Sequence, residues 1–331
     1  MKIAPCARQW RSAAQSLLLT LATLFVLLHL LSGLGRAQSS SEMTTCINEI
    51  DGDPNVVIQA CSTALQSQVI SETNRRSALN NRGIAYRNKG DYDHAIQDFN
   101  DAIRINPNDD KLLNNLGAAY MNLGDYDRAI ENYDKAIRLN PDYFIALKNR
   151  GAAYVNKGEY QRALMDYDHA LMLNPEHPVV LQTRGILHFF IEDFQTASMD
   201  ERAALQVDPG DGYSAIWYYL AQSRGGQSKA LTELMEISSG LKLANWPGPV
   251  IQVYLGTAKP DGLLSLAKAS NPRFALDREC EANFYLGEFA LLNGNRSEAE
   301  MLFRAAVASG LSTNFEYRGA LAELTRLQAK P

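Results

Sequence analysis

Between Arg76 and Asp211 the small and apolar positions recur every 34 residues. Gly83, Gly117, Gly151 and Gly185 mark the period. Leu79, Leu113, Leu147 and Leu181 precede them by four residues, and Tyr86, Tyr120, Tyr154 and His188 follow by three. These i, i+4, i+7 positions form one stripe of a helix. Ala95, Phe99, Ala102 and Ile103, and then Ala129, Tyr133, Ala136 and Ile137, give a second helix the same kind of apolar face. Gly90, Gly124 and Gly158 stand between the two helices, where a C-terminus wants a left-handed residue. Asp91 and Asp125 follow as N-caps, and Glu159 is a poorer one. Pro107, Pro141, Pro175 and Pro209 close the units. The pattern predicts four antiparallel helix pairs over residues 76–211, which must stack because one pair cannot bury its own apolar face.

The fourth pair departs from the pattern. Glu201 stands where Phe99, Tyr133 and Tyr167 stand, His188 replaces tyrosine, and the first helix runs into Phe189-Phe190 without a turn glycine. Two readings follow: a repeat adjusting to an atypical neighbour, or an exposed aromatic patch at Phe189 and Phe190 suited to a partner. Residues 212–279 lose the period but still read as helices: a bulky stretch at Ile216–Leu220, an amphipathic one over Leu231–Leu243, a break at Asn245–Pro249 and two short helices beyond. In residues 280–331 the frame returns as a fifth repeat-like unit with Gly287, Gly294, Ala299, Phe303 and Ala306, then a capping helix over Phe315–Gln328.

A 34-residue period carrying Gly, an aromatic, two Ala and a closing Pro resembles the tetratricopeptide repeat (TPR). The resemblance implies an all-α, right-handed TPR superhelix of antiparallel helix pairs, acting as a protein-binding scaffold. A narrower likeness covers about half the chain, from the third repeat onward. Ser214–Ala221, Val253–Gly256, Glu281–Gly287, Ala305–Ala308 and Phe315–Arg318, in that order, resemble the new lipoprotein I family of bacterial envelope proteins. That likeness implies a homodimeric, non-catalytic adaptor that gathers peptidoglycan hydrolases and presents them to a periplasmic protease. Trp217, Tyr218, Tyr219 and Trp246 are the apolar area for such an interface, with core packing the alternative account of them. The alternative is a chaperone-like or assembly factor holding extended polypeptide in the groove.

The beginning of the chain reads as an address. Lys2, Arg8 and Arg11 make a positive head, residues 17–34 are mostly apolar, and Gly35-Arg36-Ala37 is a small-residue cleavage site. A cleaved signal peptide over residues 1–37 places the protein in the periplasm; an uncleaved inner-membrane anchor is the alternative. The chain has 32 basic and 37 acidic side chains, a net −5. Without Lys2, Arg8, Arg11 and Arg36 this becomes 28 against 37, a net −9. That balance argues against nucleic acid, which selects a basic face. Length suggests about two domains, although a solenoid needs no second core.

Residues 38–75 read as a Ser-rich linker and a helical hairpin in which Cys46 and Cys61 meet. An exported protein meets oxidising conditions, which favours a disulfide over two buried thiols. Closing so short a loop contributes about 3 kcal/mol in the chain-entropy account. No His or second Cys pair has metal-ligand spacing, and no catalytic constellation or cofactor-binding loop stands out, so the expected protein is not an enzyme.

The candidate binding residues are carboxamides. With the Leu/Gly/Tyr stripe at zero, the second residue before each repeat glycine lies about 200° around the helix, and the one seven later about 180°. These places hold Asn81, Asn115 and Asn149, then Asn88, Asn122 and Asn156, with Asn80 and Asn114 beside them. This is similar to the asparagine ladder of peptide-binding TPR proteins. A carboxamide donates and accepts at once, so it can hold an extended backbone without reading a side chain; Phe189 and Phe190 would then supply specificity. The leader reading has a direct check. Intact-mass analysis of envelope protein is expected to show a chain beginning near Gln38 with Cys280 as its single alkylatable thiol, and a retained leader or three reactive thiols would contradict it.

Overall fold

The computed structural model describes residues 41–48, 52–67, 69–269 and 271–329. The leader reading of residues 1–37 lies outside them. Among the described residues all regular structure is helical. The chain forms two compact units, one ending at Pro141 and one starting at Asp142.

The first unit contains α1 (41–48), α2 (Pro54–Leu65), α3 (Glu72–Lys89), α4 (Tyr92–Ile105), α5 (Asp110–Leu123) and α6 (Tyr126–Leu139). The helices start and stop where their caps dictate. Asp91 and Asp125 accept hydrogen bonds from the backbone N–H groups of His94 and Arg128, each satisfying an otherwise orphaned donor. Gly90 and Gly124 end the preceding helices at φ 85° and 83°. Within a pair, the first helix offers a bare Cα to a ring. A Cβ on Gly83 would lie 2.8 Å from Phe99, and one on Gly117 2.7 Å from Tyr133. Beside the first contact the Arg82 guanidinium grips Asp98 with two hydrogen bonds, of 2.8 and 2.7 Å. A Cys46–Cys61 disulfide joins α1 to α2. Both sulfurs are buried against Val57, Ala60, Ala78 and Ala85, so the hairpin docks on α3.

The second unit contains α7 (Phe144–Lys157), α8 (Tyr160–Leu173), α9 (Pro178–Phe190), α10 (Phe194–Val207), α11 (Gly212–Arg224), α12 (Ala230–Ser238), α13 (Gly248–Tyr254), α14 (Asp261–Lys268), α15 (Ala275–Leu292), α16 (Arg296–Ala308) and α17 (Phe315–Ala329). Gly151 meets Tyr167, and Gly287 meets Phe303 in α15–α16, as closely as in the first unit. Arg150 and Arg184 repeat the two-pronged grip on Asp166 and Asp200. Without a turn glycine after α9, Glu192 takes the left-handed position at φ 64°. The centre of the unit is Trp217, which packs against Phe189, Phe190, Phe284 and Tyr285 with ring centroids 5.2–6.1 Å apart.

The last helix is more than a terminal cap. Its Gly319 lies against Phe284. Arg318 donates to the carbonyl oxygens of Val155 and Asn156 at the end of α7, and Arg326 donates to those of Phe189 and Phe190 at the end of α9. Helix C-termini leave carbonyls without intrahelical partners, and two arginines of α17 satisfy them. Arg224 of α11 links Glu288 of α15 at 2.7 Å with Glu323 of α17 at 3.2 Å. Burial, first, and Glu323 beside it hold the Glu288 carboxyl up at about 8, although Arg224 opposes both.

Gly117→Ala tests the close contact. An exposed helical Gly→Ala change stabilises by roughly 1 kcal/mol. Here the added methyl meets a Tyr133 ring that is 1% exposed and cannot swing away. We expect a net loss of about 1–2 kcal/mol, read as a lower urea midpoint at unchanged slope.

Candidate functional site

The carboxamides of the first unit form a relay. Asn81 Nδ2 donates to the Cys46 carbonyl at 2.9 Å, Asn80 Nδ2 donates to Asn81 Oδ1 at 3.0 Å, and Asn115 Nδ2 donates to Asn80 Oδ1 at 2.9 Å. Asn81 is therefore buried, at 7% exposure, and does not face a groove. The expectation for it is corrected, and the reason is geometric. A first helix in a stack has two neighbours, its own partner and the preceding hairpin, and Asn81 points at the latter. Asn115 is half-buried and spends one donor on Asn80; Asn149 is half-buried, while Asn88 and Asn122 are exposed near the ends of α3 and α5. Asn156 is already engaged, since its Oδ1 accepts from Arg318 of α17 at 3.2 Å and its Nδ2 donates to the Ala152 carbonyl.

Phe189 and Phe190 are corrected likewise. At 1% and 6% exposure they belong to the Trp217 core and form no surface patch. Trp217 and Tyr218, offered as cover for an interface, are 2% and 3% exposed; the first is the centre of that core and the second turns its hydroxyl to Glu233 of α12.

The surface left on α3 is a different stripe. Asn80, Ile84 and Arg87 follow at i, i+4 and i+7, all half-buried, with Asn88 exposed beside them. The matching positions of α5 are Asn114, Ala118 and Met121, and the Asn115–Asn80 bond fixes the two helices side by side. Among the described residues no carboxylate pairs with the Arg87 guanidinium, and burial, the larger effect, lowers its pKa. A cation drawn partly out of water without a counter-charge attracts a carboxylate or carbonyl oxygen. The wheel argument missed Arg87 because it followed only the recurrent asparagines. Its signal was available: Arg76 and Arg87 are the basic residues on that stripe of α3, and Arg76 already faces Asp109 at 3.5 Å.

The histidines serve local structure. His94 sits 2.8 Å from its helix cap Asp91 and stacks on Tyr86, His169 lies 3.3 Å from Asp142, and His188 lies 3.2 Å from Asp193. His177 caps α9 by accepting from the Val180 N–H.

Glu201 is the strained exception of the fourth pair. It occupies the ring position facing Gly185 and is 1% exposed, and among the described residues no cation pairs with its carboxyl, which has only the Ser214 hydroxyl as a polar neighbour of favourable sign. Burial pushes its pKa well up; Ser214 opposes that, while Asp211 and Asp200 add to it. In the unfolded chain the carboxyl ionises near pH 4–5. Below that range the folded and unfolded forms bind the same proton and there is no penalty. Above it the folded protein must keep or bury what the unfolded chain gives up, so stability falls as pH rises. Glu201→Gln is therefore expected to stabilise by about 1–2 kcal/mol at pH 7, with the gain vanishing near pH 4, in paired thermal melts.

The tetratricopeptide repeat family pattern matches residues 77–109, 111–143 and 144–177. Two solved structures share the fold. One is the C-terminal part of a TPR repeat-containing protein from Cytophaga hutchinsonii, 16% identical, covering 84% of this chain and 98% of that one at a TM-score of 0.54. The other is a tetratricopeptide repeat protein from Parabacteroides merdae, 20% identical, covering 75% and 98% at 0.52.

Proposed function

We propose that this tetratricopeptide-repeat protein is a non-catalytic scaffold whose first unit holds a segment of another protein along α3 and α5. The observation that carries the reading is Arg87. It lies half-buried, with no carboxylate paired to it among the described residues, in line with Asn80 and Ile84, beside a second helix held in register by Asn115. A partner segment that lays carbonyls or a carboxylate against this stripe would give Arg87 its acceptor and cover Ile84. The remaining hydrogen-bonding capacity of Asn115, Asn88 and Asn122 would serve its backbone.

The signal-like N-terminus and the disulfide support a periplasmic setting. The likeness of the second half to new lipoprotein I supports an envelope adaptor for hydrolases or a protease, and a homodimer rests on that likeness alone. Affinity capture from the native envelope with the full-length protein tests the reading. The wild type is expected to retain a few stoichiometric proteins, and an Ile84→Asp/Arg87→Glu variant of unchanged helicity to retain them at least tenfold less. Undiminished capture would remove the site from α3. A broad set of unfolded substrates would make the protein a chaperone-like holder instead.

A further inference from the structure

The second unit carries an open cavity of about 550 Å³, lined by α9, α11, the segment before α13, α15 and the start of α17. Its walls are aromatic: Tyr213, Trp217, Trp246, Phe274 and Phe315. Three carboxylates line it as well, Asp277 and Glu281 one turn apart on α15 and Glu316 on α17. All three hydrogen-bond to neutral donors only. Tyr213 Oη donates to Glu281 at 3.0 Å and Trp246 Nε1 at 2.5 Å; Tyr285 Oη donates to Glu316 at 2.8 Å; Asn314 Nδ2 donates to Asp277 at 3.2 Å. Among the described residues none of the three forms an ion pair. Glu316 is 8% exposed, a carboxylate more than nine-tenths buried that lines an open cavity without a counter-charge.

The one cation in the lining does not neutralise them. Arg278 lies over the faces of Trp246 and Phe274, 5.7 and 5.9 Å from the ring centroids. Three acids against one arginine give the lining a formal net −2 when all three are ionised. Burial, and the Glu316 charge next, hold the Glu281 carboxyl up at about 7. Glu316 is raised mainly by burial, with Tyr285 opposing. Among the described residues no group of three or more His, Cys, Asp or Glu is placed to hold a metal ion. A cavity lined by both aromatic rings and carboxylates suits a cation of a different kind, one carried on an apolar stem that packs on rings while its head meets the acids.

We propose that this cavity receives a basic side chain, lysine or arginine, presented by a polypeptide partner. Gln182 and Ile186 of α9 line it and occupy the places in their repeat that Asn80 and Ile84 occupy in α3. A segment lying along that repeat face thus presents its side chains to the cavity. That the cation arrives on a polypeptide rests on the scaffold reading; the cation pocket does not, and blocked amino acids test it alone.

Trp246 fluorescence and chemical-shift titration of the full-length protein with Nα-acetyl-lysine amide and Nα-acetyl-arginine amide provide the measurement. Saturable binding in roughly the millimolar range is expected, with the neutral Nα-acetyl-norleucine amide at least tenfold weaker. Glu281→Gln keeps an acceptor for Tyr213 and Trp246 and should weaken the cationic probes about tenfold. Asp277→Asn, on a half-buried residue, gives a second variant that leaves the interior intact and should weaken them several-fold. Equal response to the norleucine probe, absence of saturation, or unchanged affinity in both folded variants would each overturn the pocket. So would preferential binding of a neutral sugar such as N-acetylglucosamine. If the pocket binds the probes but envelope capture fails, the scaffold reading falls and the pocket stands.

Discussion

Everything in this fold depends on how closely two helices of a pair can approach. Gly83, Gly117, Gly151 and Gly287 each offer a bare Cα to a ring on the following helix, where a Cβ would sit 2.6–2.8 Å away. No side chain fits that gap, so the glycine sets the helix spacing and the ring fills it. The same approach brings the residue before the glycine within reach of the residue before the ring. Arginine and aspartate use it at Arg82–Asp98, Arg150–Asp166 and Arg184–Asp200. The pair α5–α6 forms with Leu116 and Asn132 at those places, so the ion pair is an addition and the bare Cα is the requirement. The fourth pair keeps its glycine and its arginine but puts Glu201 at the ring position, and a buried carboxyl of raised pKa is the result.

Much of this was legible in residue order. The left-handed glycines, the aspartate caps, the glycine–ring spacing and the Cys46–Cys61 pairing are local or nearly local, and each has a stereochemical signature. What was illegible depends on a third element. Asn81 looked outward on a helical wheel because a wheel assigns a helix one neighbour, whereas α3 also carries the α1–α2 hairpin, whose Cys46 carbonyl takes the Asn81 amide. Phe189 and Phe190 looked stranded because the rings that bury them, Trp217 and Phe284, lie on α11 and α15. Asp277 and Glu281 are visibly on one face of a helix; Glu316, which makes the cavity what it is, comes from α17.

The two units use one repeat in opposite ways. In the first, the stripe Asn80–Ile84–Arg87 is only half-buried, and among the described residues no carboxylate pairs with the Arg87 guanidinium. In the second, the chain lays its own α17 against the ends of α7 and α9, and the carbonyls there are met by Arg318 and Arg326. The difference lies in two arginines and in Gly319, which lets α17 come down onto Phe284.

The Arg318 contact also changes what kind of object the second unit is. A solenoid is held together by nearest neighbours, so it can fray or fold one repeat at a time. Arg318 instead binds a carbonyl 163 positions earlier. That closure raises the contact order of the unit and delays its completion until α17 has been synthesised. Residues from Asp142 onward therefore behave as one cooperative block, in which losing α17 would loosen α7 and α9 together rather than trimming the end of a row.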